Sequence, residues 1–205
     1  NEIIDKLSTM KINVKSNNIF TALHASLAYC RQQNYKKIKL LVKDEKLKNE
    51  FQEFDIQSKK VDAVVIGDMG YGFDYALLND AFNCVMEGAD IIAMHYNRYW
   101  KKDGIYRLDI GPFVKALEFA TGKSAQIVGK PSGNFFHLAF SDWNLSNHQI
   151  AMIGDDIDTD IGGAQHAGLK GVLVKTGKYL PQITQSSDIK PDSIINSFSD
   201  IFSVL

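Results

Sequence analysis

Short apolar runs alternate with stretches of helical spacing along most of this chain. Apolar runs at residues 38–42, 63–66 and 91–94 are separated by polar or helical segments, of which Tyr75–Met86 is the clearest. This alternation is typical of βα units built around a mainly parallel sheet. The pattern therefore predicts an α/β fold.

Further elements are predicted on both sides of this series. Apolar spacing indicates helices at residues 1–10 and 22–33, with a short strand at residues 19–21 between them. Asp103-Gly104 indicates a turn, and Gly111-Pro112 indicates the start of a helix.

A second alternating series follows from residue 123. It predicts strands at residues 126–128, 150–153 and 172–174, with helices near residues 135–140 and after residue 158. We interpret the chain as two α/β units with boundaries near residues 20 and 123. Residues 1–20 and 123–205 would form one discontinuous domain, interrupted by a second domain at residues 21–122.

The strand at residues 150–153 ends in a cluster of carboxylates. Asp155 and Asp156 follow it directly, and Asp158 and Asp160 come within the next four residues. Ligands of open α/β sheets bind at the carboxyl ends of the strands, and Mg²⁺ prefers oxygen ligands. Asp158 or Thr159 is expected to cap the next helix, whose amino end would attract an anion. The turn therefore indicates a site for a metal ion and a phosphate group.

Other interpretations of this turn fit less well or stay open. An EF-hand calcium loop beginning at Asp156 would need glycine where Ile161 stands and glutamate where Ala167 stands. A receiver domain would place its acidic pair before the Lys-Pro, whereas Lys130-Pro131 comes first here. A solvated turn without a metal remains an alternative.

Lys130 lies at the end of the preceding predicted strand, directly before Pro131. A lone lysine is usually a solvated surface charge. Next to an acidic strand end, however, a lysine can stabilise both a carboxylate and a transferring phosphoryl group. Lys130 is therefore a candidate for the same site.

Composition limits what kind of partner the chain can have. The formal net charge is -1 over 205 residues, which favours neither nucleic acid nor an anionic membrane. No apolar run approaches the roughly 20 residues that a membrane-spanning helix requires. Cys30 and Cys84 match no metal or redox spacing. We therefore expect reduced thiols, a cytoplasmic protein and a local phosphate site.

Two segments together resemble the third and fourth motifs of the haloacid dehalogenase superfamily. They are Gly129-Lys130-Pro131 and the stretch from Gly154 to Ala164, which is followed by Gly168 and by residues 172–179. The resemblance extends over essentially the whole chain and is strongest to phosphatases with a large α/β cap. It implies a Rossmann-like core, incomplete at its amino terminus, with residues 21–122 as the inserted cap.

The resemblance also implies roles for individual residues. Lys130 would stabilise the nucleophile and the phosphate, Asp155 would bind Mg²⁺ directly, and Asp160 would support the metal or the lysine. Asp156 is a weaker candidate for the metal. The loop at Asp109 and Gly111 would reach the substrate from the cap, which selects a small phosphorylated substrate. A homodimer through the cap is also implied. Roles in packing or in substrate contact stay open for His95, Arg98, Tyr99 and Trp100.

One expected motif is missing from the sequence. The family's nucleophile belongs to Asp-x-Asp-Gly-Thr/Ser, and the 205 residues contain no such motif. Gly67-Asp68-Met69-Gly70 lacks the second aspartate. We therefore expect a Mg²⁺-dependent phosphatase that works through an aspartyl-phosphate in the complete protein, with no turnover by this chain alone. The alternative is a non-catalytic binding or scaffold protein that lost the nucleophile.

Overall fold

The structure is a computed structural model, and it describes residues 2–204 without the side chains of Glu2, Lys101 and Lys102. Its helices are α1 (Glu2–Thr9), α2 (Ala22–Gln32), α3 (Glu45–Glu50), α4 (Tyr75–Met86), α5 (Ile110–Thr121), α6 (Gly133–Ala139), α7 (Gly163–His166) and α8 (Pro181–Ser186). Its strands are β1 (Ile38–Leu41), β2 (Ala63–Ile66), β3 (Asp90–Ala93), β4 (Tyr99–Lys102), β5 (Ile105–Leu108), β6 (Gln126–Ile127), β7 (Ala151–Gly154), β8 (Lys170–Val174) and β9 (Ser193–Ile195).

The first sheet consists of four parallel strands in the order β1-β2-β3-β6. Every residue of β2 is buried, as expected for a strand covered on both faces. Helix α4 packs on β2 and on α5, and α5 packs on β3. These contacts explain why the apolar run at residues 63–66 is uninterrupted, and they confirm the predicted α/β unit.

Strand β6 lies at the predicted residues but belongs to a different sheet from the one expected. It was expected to open the second unit, but Gln126 and Ile127 pair with Ile92 and Ala93 of β3. The chain therefore leaves the first sheet near residue 128 rather than near residue 123. An edge strand needs only one partner, and two apolar positions do not reveal which sheet provides it. The division into a core and an inserted cap stays a prediction.

A β-hairpin projects between β3 and α5. Strands β4 and β5 are antiparallel, and Asp103 and Gly104, with φ values of 52° and 77°, form the predicted turn between them. Positive φ at both positions is the geometry that matches the twist of a two-residue hairpin. Several aromatic and aliphatic side chains on this hairpin, together with Tyr71, which contacts Arg107, are exposed: Tyr71, Tyr99, Trp100, Ile105, Tyr106 and Leu108.

The second sheet has three parallel strands in the order β7-β8-β9. Within residues 2–204, β7 forms one edge of this sheet. Because β7 and β8 are parallel neighbours, their carboxyl ends lie side by side. Between the two strands a π-helical turn, Ile157–Gly162, leads into α7. The predicted helix after Asp158 is thus present, but it begins earlier and with a wider turn.

The predicted strand at residues 19–21 is absent. Thr21 is the N-cap residue of α2, and its backbone N–H donates to His24 Nδ1 at 3.2 Å. Ile19 has an extended backbone, but its N–H donates to the carbonyl of Ser16 at 3.1 Å, and residues 19–21 pair with no other strand among the described residues. Helix α1 agrees with prediction from residue 2 onwards, and Asn1 lies outside the described residues. No helix among the described residues is both long and apolar enough to cross a bilayer.

Candidate active site

The acidic turn begins where β7 ends. Asp156 is the N-cap residue of the π-helical turn, and its Oδ1 accepts from the N–H groups of Asp158 and Thr159 at 3.1 and 3.0 Å. The predicted cap at Asp158 or Thr159 is therefore wrong, because the helical turn already begins at Ile157. Asp158 itself is exposed.

Asp160 is the buried member of the carboxylate cluster, with 4% of its surface exposed. Its Oδ1 lies 2.7 Å from Lys130 Nζ, and its Oδ2 accepts from the N–H of Asp156 at 3.3 Å. A Cβ on Gly154 would lie 2.4 Å from Oδ2 of Asp160. Glycine at this strand end therefore makes room for the carboxylate, and the structure brings together the predicted pair Lys130 and Asp160.

Close backbone packing holds Lys130 in place. A Cβ on Gly129 would lie 2.0 Å from the carbonyl oxygen of Met94, so only glycine fits between β3 and the lysine. On the other side, a Cβ on Gly163 would lie 2.8 Å from Cα of Pro131. The start of α7 thus packs directly on the Lys-Pro segment. These glycines fix the lysine beside the acidic turn.

Lys178 is a site residue to which the sequence assigned no role. It follows β8, and its Nζ lies 3.5 Å from Asp156 Oδ2. Its backbone N–H donates to Asp155 Oδ2 at 2.9 Å. Gly177, with φ of 51°, permits this approach, because a Cβ there would lie 1.8 Å from the same carboxylate oxygen. The parallel pairing of the two predicted strands could have revealed this contact, since both end at one edge.

The groups around Asp156 lower the pKa of its carboxyl group. Burial alone would raise the pKa of its carboxyl group, but the N–H of Thr159 and the charge of Lys178 oppose that effect. Hydrogen bonds from the Thr159 side chain and the N–H of Asp158 act in the same direction. The net pKa is below the usual value. Asp156 is therefore ionised at neutral pH, and its Oδ1 is occupied in capping the turn.

The residues fit a hard cation with few protein ligands. Among the described residues, no three His, Cys, Asp or Glu side chains converge into a metal site. Mg²⁺ does not need such a cage, because it usually takes one or two carboxylates together with water and substrate phosphate. Asp155 is half-buried, and its Oδ1 accepts no hydrogen bond from the described part of the chain. Asp155 is therefore the best-placed ligand, whereas Asp160 is engaged with Lys130.

Asp109 and Gly111, which were predicted to reach the substrate from the cap domain, both make contacts within the chain in this structure. Asp109 caps α5, accepting from the N–H of Ile110 at 2.9 Å. Gly111 is buried, its N–H donates to the carbonyl of Asn97 at 3.0 Å, and a Cβ there would lie 2.5 Å from that oxygen. The N–H of Gly111 is thus not available to a phosphate. This close contact packs α5 against the loop after β3, and a role of Gly111 in substrate binding stays a prediction.

His95 connects the two sheets electrostatically. It follows β3, and its Nε2 lies 3.6 Å from Asp109 Oδ1, while its Nδ1 is buried without a hydrogen-bond partner among the described residues. Burial lowers the pKa of His95 below its ordinary value of 6.5, and Lys178 acts in the same direction. Asp109 and Asp68 oppose that shift without cancelling it. His95 is therefore neutral in the folded protein at neutral pH.

This lowered pKa has a consequence for stability. Below pH 6.5 the unfolded chain binds a proton at His95 more readily than the folded chain, so stability falls as the pH decreases. We expect His95→Gln to reduce the loss of melting temperature between pH 7 and pH 5. His148→Gln, at an exposed histidine, is the matched control and should leave that loss unchanged. An equal pH dependence in the wild type and His95→Gln would contradict the assignment.

Comparison with known proteins places this arrangement in a family. Residues 127–201 match the family model described as "HAD-hyrolase-like". The chain is 42% identical over 180 residues to haloacid dehalogenase-like hydrolase domain-containing protein 2 of Mus musculus, covering 87% of this chain and 67% of the relative. It is 34% identical over 199 residues to phospholysine phosphohistidine inorganic pyrophosphate phosphatase of Danio rerio, covering 96% of this chain and 72% of the relative.

Solved structures agree at the level of the fold. A p-nitrophenyl phosphatase from Archaeoglobus fulgidus superimposes with a TM-score of 0.90 at 23% identity, covering 100% of this chain and 81% of the other. A 4-nitrophenylphosphatase from Thermotoga maritima gives a TM-score of 0.88 at 23% identity, covering 98% and 78%. The paired lysine and aspartate, the acidic turn after β7 and the curated relatives lead to one conclusion: the chain belongs to the haloacid dehalogenase superfamily and is related to its phosphatases.

Proposed function

We propose that this chain forms the metal-binding and charge-stabilising part of a Mg²⁺-dependent phosphatase. The observation that carries the proposal is the Lys130–Asp160 ion pair at 2.7 Å, whose carboxylate is buried, in the same acidic turn as Asp155 after β7. A carboxylate with a free oxygen beside a fixed ammonium group suits a phosphate and its counter-ion. The names of the matched relatives support the same class of reaction.

Each residue has a defined task in this proposal. Asp155 holds Mg²⁺, which supplies positive charge to the phosphate oxygens when it is bound. Lys130 binds a phosphate oxygen through its half-exposed ammonium group, and Asp160 keeps that group in position. Asp156 shapes the turn through its capping bonds and holds Lys178 nearby. Removal of Asp155 should therefore weaken metal binding, whereas removal of Asp160 should misplace the lysine.

The attacking group is not assigned to any residue of this chain. In the proposed reaction, an aspartate oxygen attacks phosphorus and the bond to the leaving oxygen breaks, with a proton passing to that oxygen. Water then attacks the phosphorus of the aspartyl-phosphate, releasing phosphate and restoring the carboxylate. Because the 205 residues contain no Asp-x-Asp-Gly-Thr/Ser, we expect them to bind metal and phosphate without turnover.

The remaining partners are proposals too. A small phosphorylated compound is the proposed substrate, with neither nucleic acid nor membrane as partner, since the formal net charge is only -1. A cytoplasmic location agrees with the free thiols of Cys30 and Cys84, which are both buried. The exposed aromatic residues of the β4–β5 hairpin support a homodimer through this surface.

The test is Mg²⁺-dependent release of p-nitrophenol from p-nitrophenyl phosphate by the full-length natural gene product. We expect Asp155→Ala to lower the rate by at least about a hundredfold, as for loss of a metal ligand. Asp158→Ala, at an exposed carboxylate of the same turn, should retain the wild-type rate. Wild-type turnover that persisted undiminished in Asp155→Ala would refute the assignment.

The missing nucleophile motif favours a second candidate function, a non-catalytic binding or scaffold protein that has kept the phosphate site. It differs from the first in one measurable respect. A scaffold would bind Mg²⁺ and inorganic phosphate in the full-length gene product but release no p-nitrophenol, with or without Asp155. A phosphatase would bind Mg²⁺ and phosphate and would also release p-nitrophenol.

A further inference from the structure

A cleft of about 290 Å³ lies away from the acidic turn, between α2 and α6. It is lined by Ala25, Tyr29, Gln32, Gln126, Val128, Asn134, His137, Leu138 and Ser141. None of the site residues Lys130, Asp155, Asp160 or Lys178 contributes to its walls. The cleft is therefore separate from the candidate active site.

Three secondary-structure elements build this cleft in a regular way. Ala25, Tyr29 and Gln32 have the spacing i, i+4 and i+7, so they lie on one face of α2. Asn134, His137 and Leu138 repeat this on α6, and Ser141 continues the same face. Gln126 and Val128 are two residues apart and project to the same side of the chain at β6. The walls are thus set by helix and strand geometry.

Helix α6 presents different chemistry on its two sides. Phe136 is buried in a cluster with Ile150, Ala164 and Leu169, on the side that packs against α7. The opposite side faces the cleft with the polar side chains of Asn134 and His137 and with the apolar side chain of Leu138. Because Phe136 packs elsewhere, these side chains are available to a ligand.

The lining limits the chemistry of a ligand. It contains no Asp, Glu, Lys or Arg, and His137 is the one side chain of the wall that can become a cation, so a neutral ligand suits it better than a charged one. Ala25, Val128 and Leu138 provide apolar surface, and the ring of Tyr29 adds an aromatic face. Gln32, Asn134 and the hydroxyl of Tyr29 make no side-chain hydrogen bonds with described residues, and Gln126 donates only to the carbonyl of Ile127. Apolar walls with a few amide groups are typical of small-molecule sites.

We propose that this cleft is a second binding site, which takes a small, uncharged aromatic molecule carrying an amide or similar hydrogen-bonding group. The ring would pack on Tyr29 and Leu138, and the amide would bond to Gln32, Gln126 or Asn134. Val128, which lines the cleft, lies two positions before Lys130, and α6 begins three positions after Lys130. A ligand in the cleft would therefore contact α2 and the segment that carries Lys130 at the same time. Such a ligand could act as an effector.

The test is titration of the ¹⁵N-labelled chain with benzamide, followed by amide chemical shifts in NMR spectra. We expect saturable shifts at the residues of the cleft, with a dissociation constant on the order of 1 mM for a ligand of this size. Benzoate has the same shape but carries a charge, and it should bind at least about tenfold more weakly. Shifts that stay linear with benzamide, or equal affinities for benzamide and benzoate, would overturn the proposal.

A pair of neighbouring glutamines provides the matched variants. Gln32 lines the cleft, whereas Gln33 does not, and both are exposed, so that neither replacement should impair folding. We expect Gln32→Ala to weaken benzamide about fivefold, as for loss of one hydrogen bond, and Gln33→Ala to change it less than twofold. Equal effects of the two replacements would show that the shifts arise elsewhere. Because Mg²⁺ and phosphate are absent, the outcome does not depend on the proposed phosphatase activity.

Discussion

Replacing Lys130 by methionine is expected to lower the free energy of unfolding by about 3 kcal/mol, because it leaves a buried carboxylate without its charge partner. Asp160 is 4% exposed, and Lys130 Nζ lies 2.7 Å from its Oδ1. Methionine retains most of the aliphatic stem of lysine, so packing changes little. The measurement is urea unfolding of the wild type and the variant at neutral pH.

Two further variants isolate the cause of this loss. Lys175→Met, at an exposed lysine after β8, should change the free energy of unfolding by less than about 0.5 kcal/mol. The double variant Lys130→Met/Asp160→Asn removes both charges and should recover part of the loss. If Lys130→Met were no less stable than Lys175→Met, the pair would not contribute as described.

Replacing Gly177 by alanine is expected to weaken Mg²⁺ binding at least about tenfold, the scale seen when support of a metal ligand is lost. A Cβ at this position would lie 1.8 Å from Asp155 Oδ2, so the carboxylate has to move away. Its hydrogen bond from the N–H of Lys178 would be lost at the same time. Calorimetric titration with MgCl₂ measures the effect directly.

Gly104→Ala is the matched control for the backbone. Gly104 also has positive φ, at 77°, but a Cβ there meets no atom within 4 Å. Both replacements should cost about 1 kcal/mol of stability, since alanine is disfavoured in the left-handed region. Only Gly177→Ala should lose metal affinity. Equal Mg²⁺ affinities in the two variants would contradict the close approach to Asp155.

The parts of the fold that could be predicted were those with strong local patterns. Strand β2 is an unbroken apolar run, and Tyr75–Met86 was predicted with the bounds that α4 has. Strand β9 was missed, because Ser193–Ile195 has only two apolar residues and depends on β8 for its hydrogen bonds. Likewise, β6 could be placed in the right sheet only from its pairing with β3.

In the site, too, contacts between residues near predicted strands could be predicted, whereas contacts that depend on the three-dimensional arrangement of the backbone could not. Lys130 and Asp160 are brought together as the resemblance implied, with Lys130 after a predicted strand and Asp160 in the turn that follows another. Lys178 received no role, because its contact with Asp155 passes through the backbone N–H and requires positive φ at Gly177. The hydrogen bond from the N–H of Gly111 to the carbonyl of Asn97 could not be predicted, because the two residues lie fourteen positions apart in sequence.

We propose Asp155 as the metal ligand of a phosphate site whose lysine is held by Asp160. Calorimetric titration of MgCl₂ into the chain, its Asp155→Ala variant and its Asp158→Ala variant tests it most directly. We expect saturable binding to the wild type and to Asp158→Ala, and affinity reduced at least about tenfold in Asp155→Ala. Undiminished Mg²⁺ binding by Asp155→Ala, or its loss in Asp158→Ala alone, would contradict the role of Asp155 as the metal ligand.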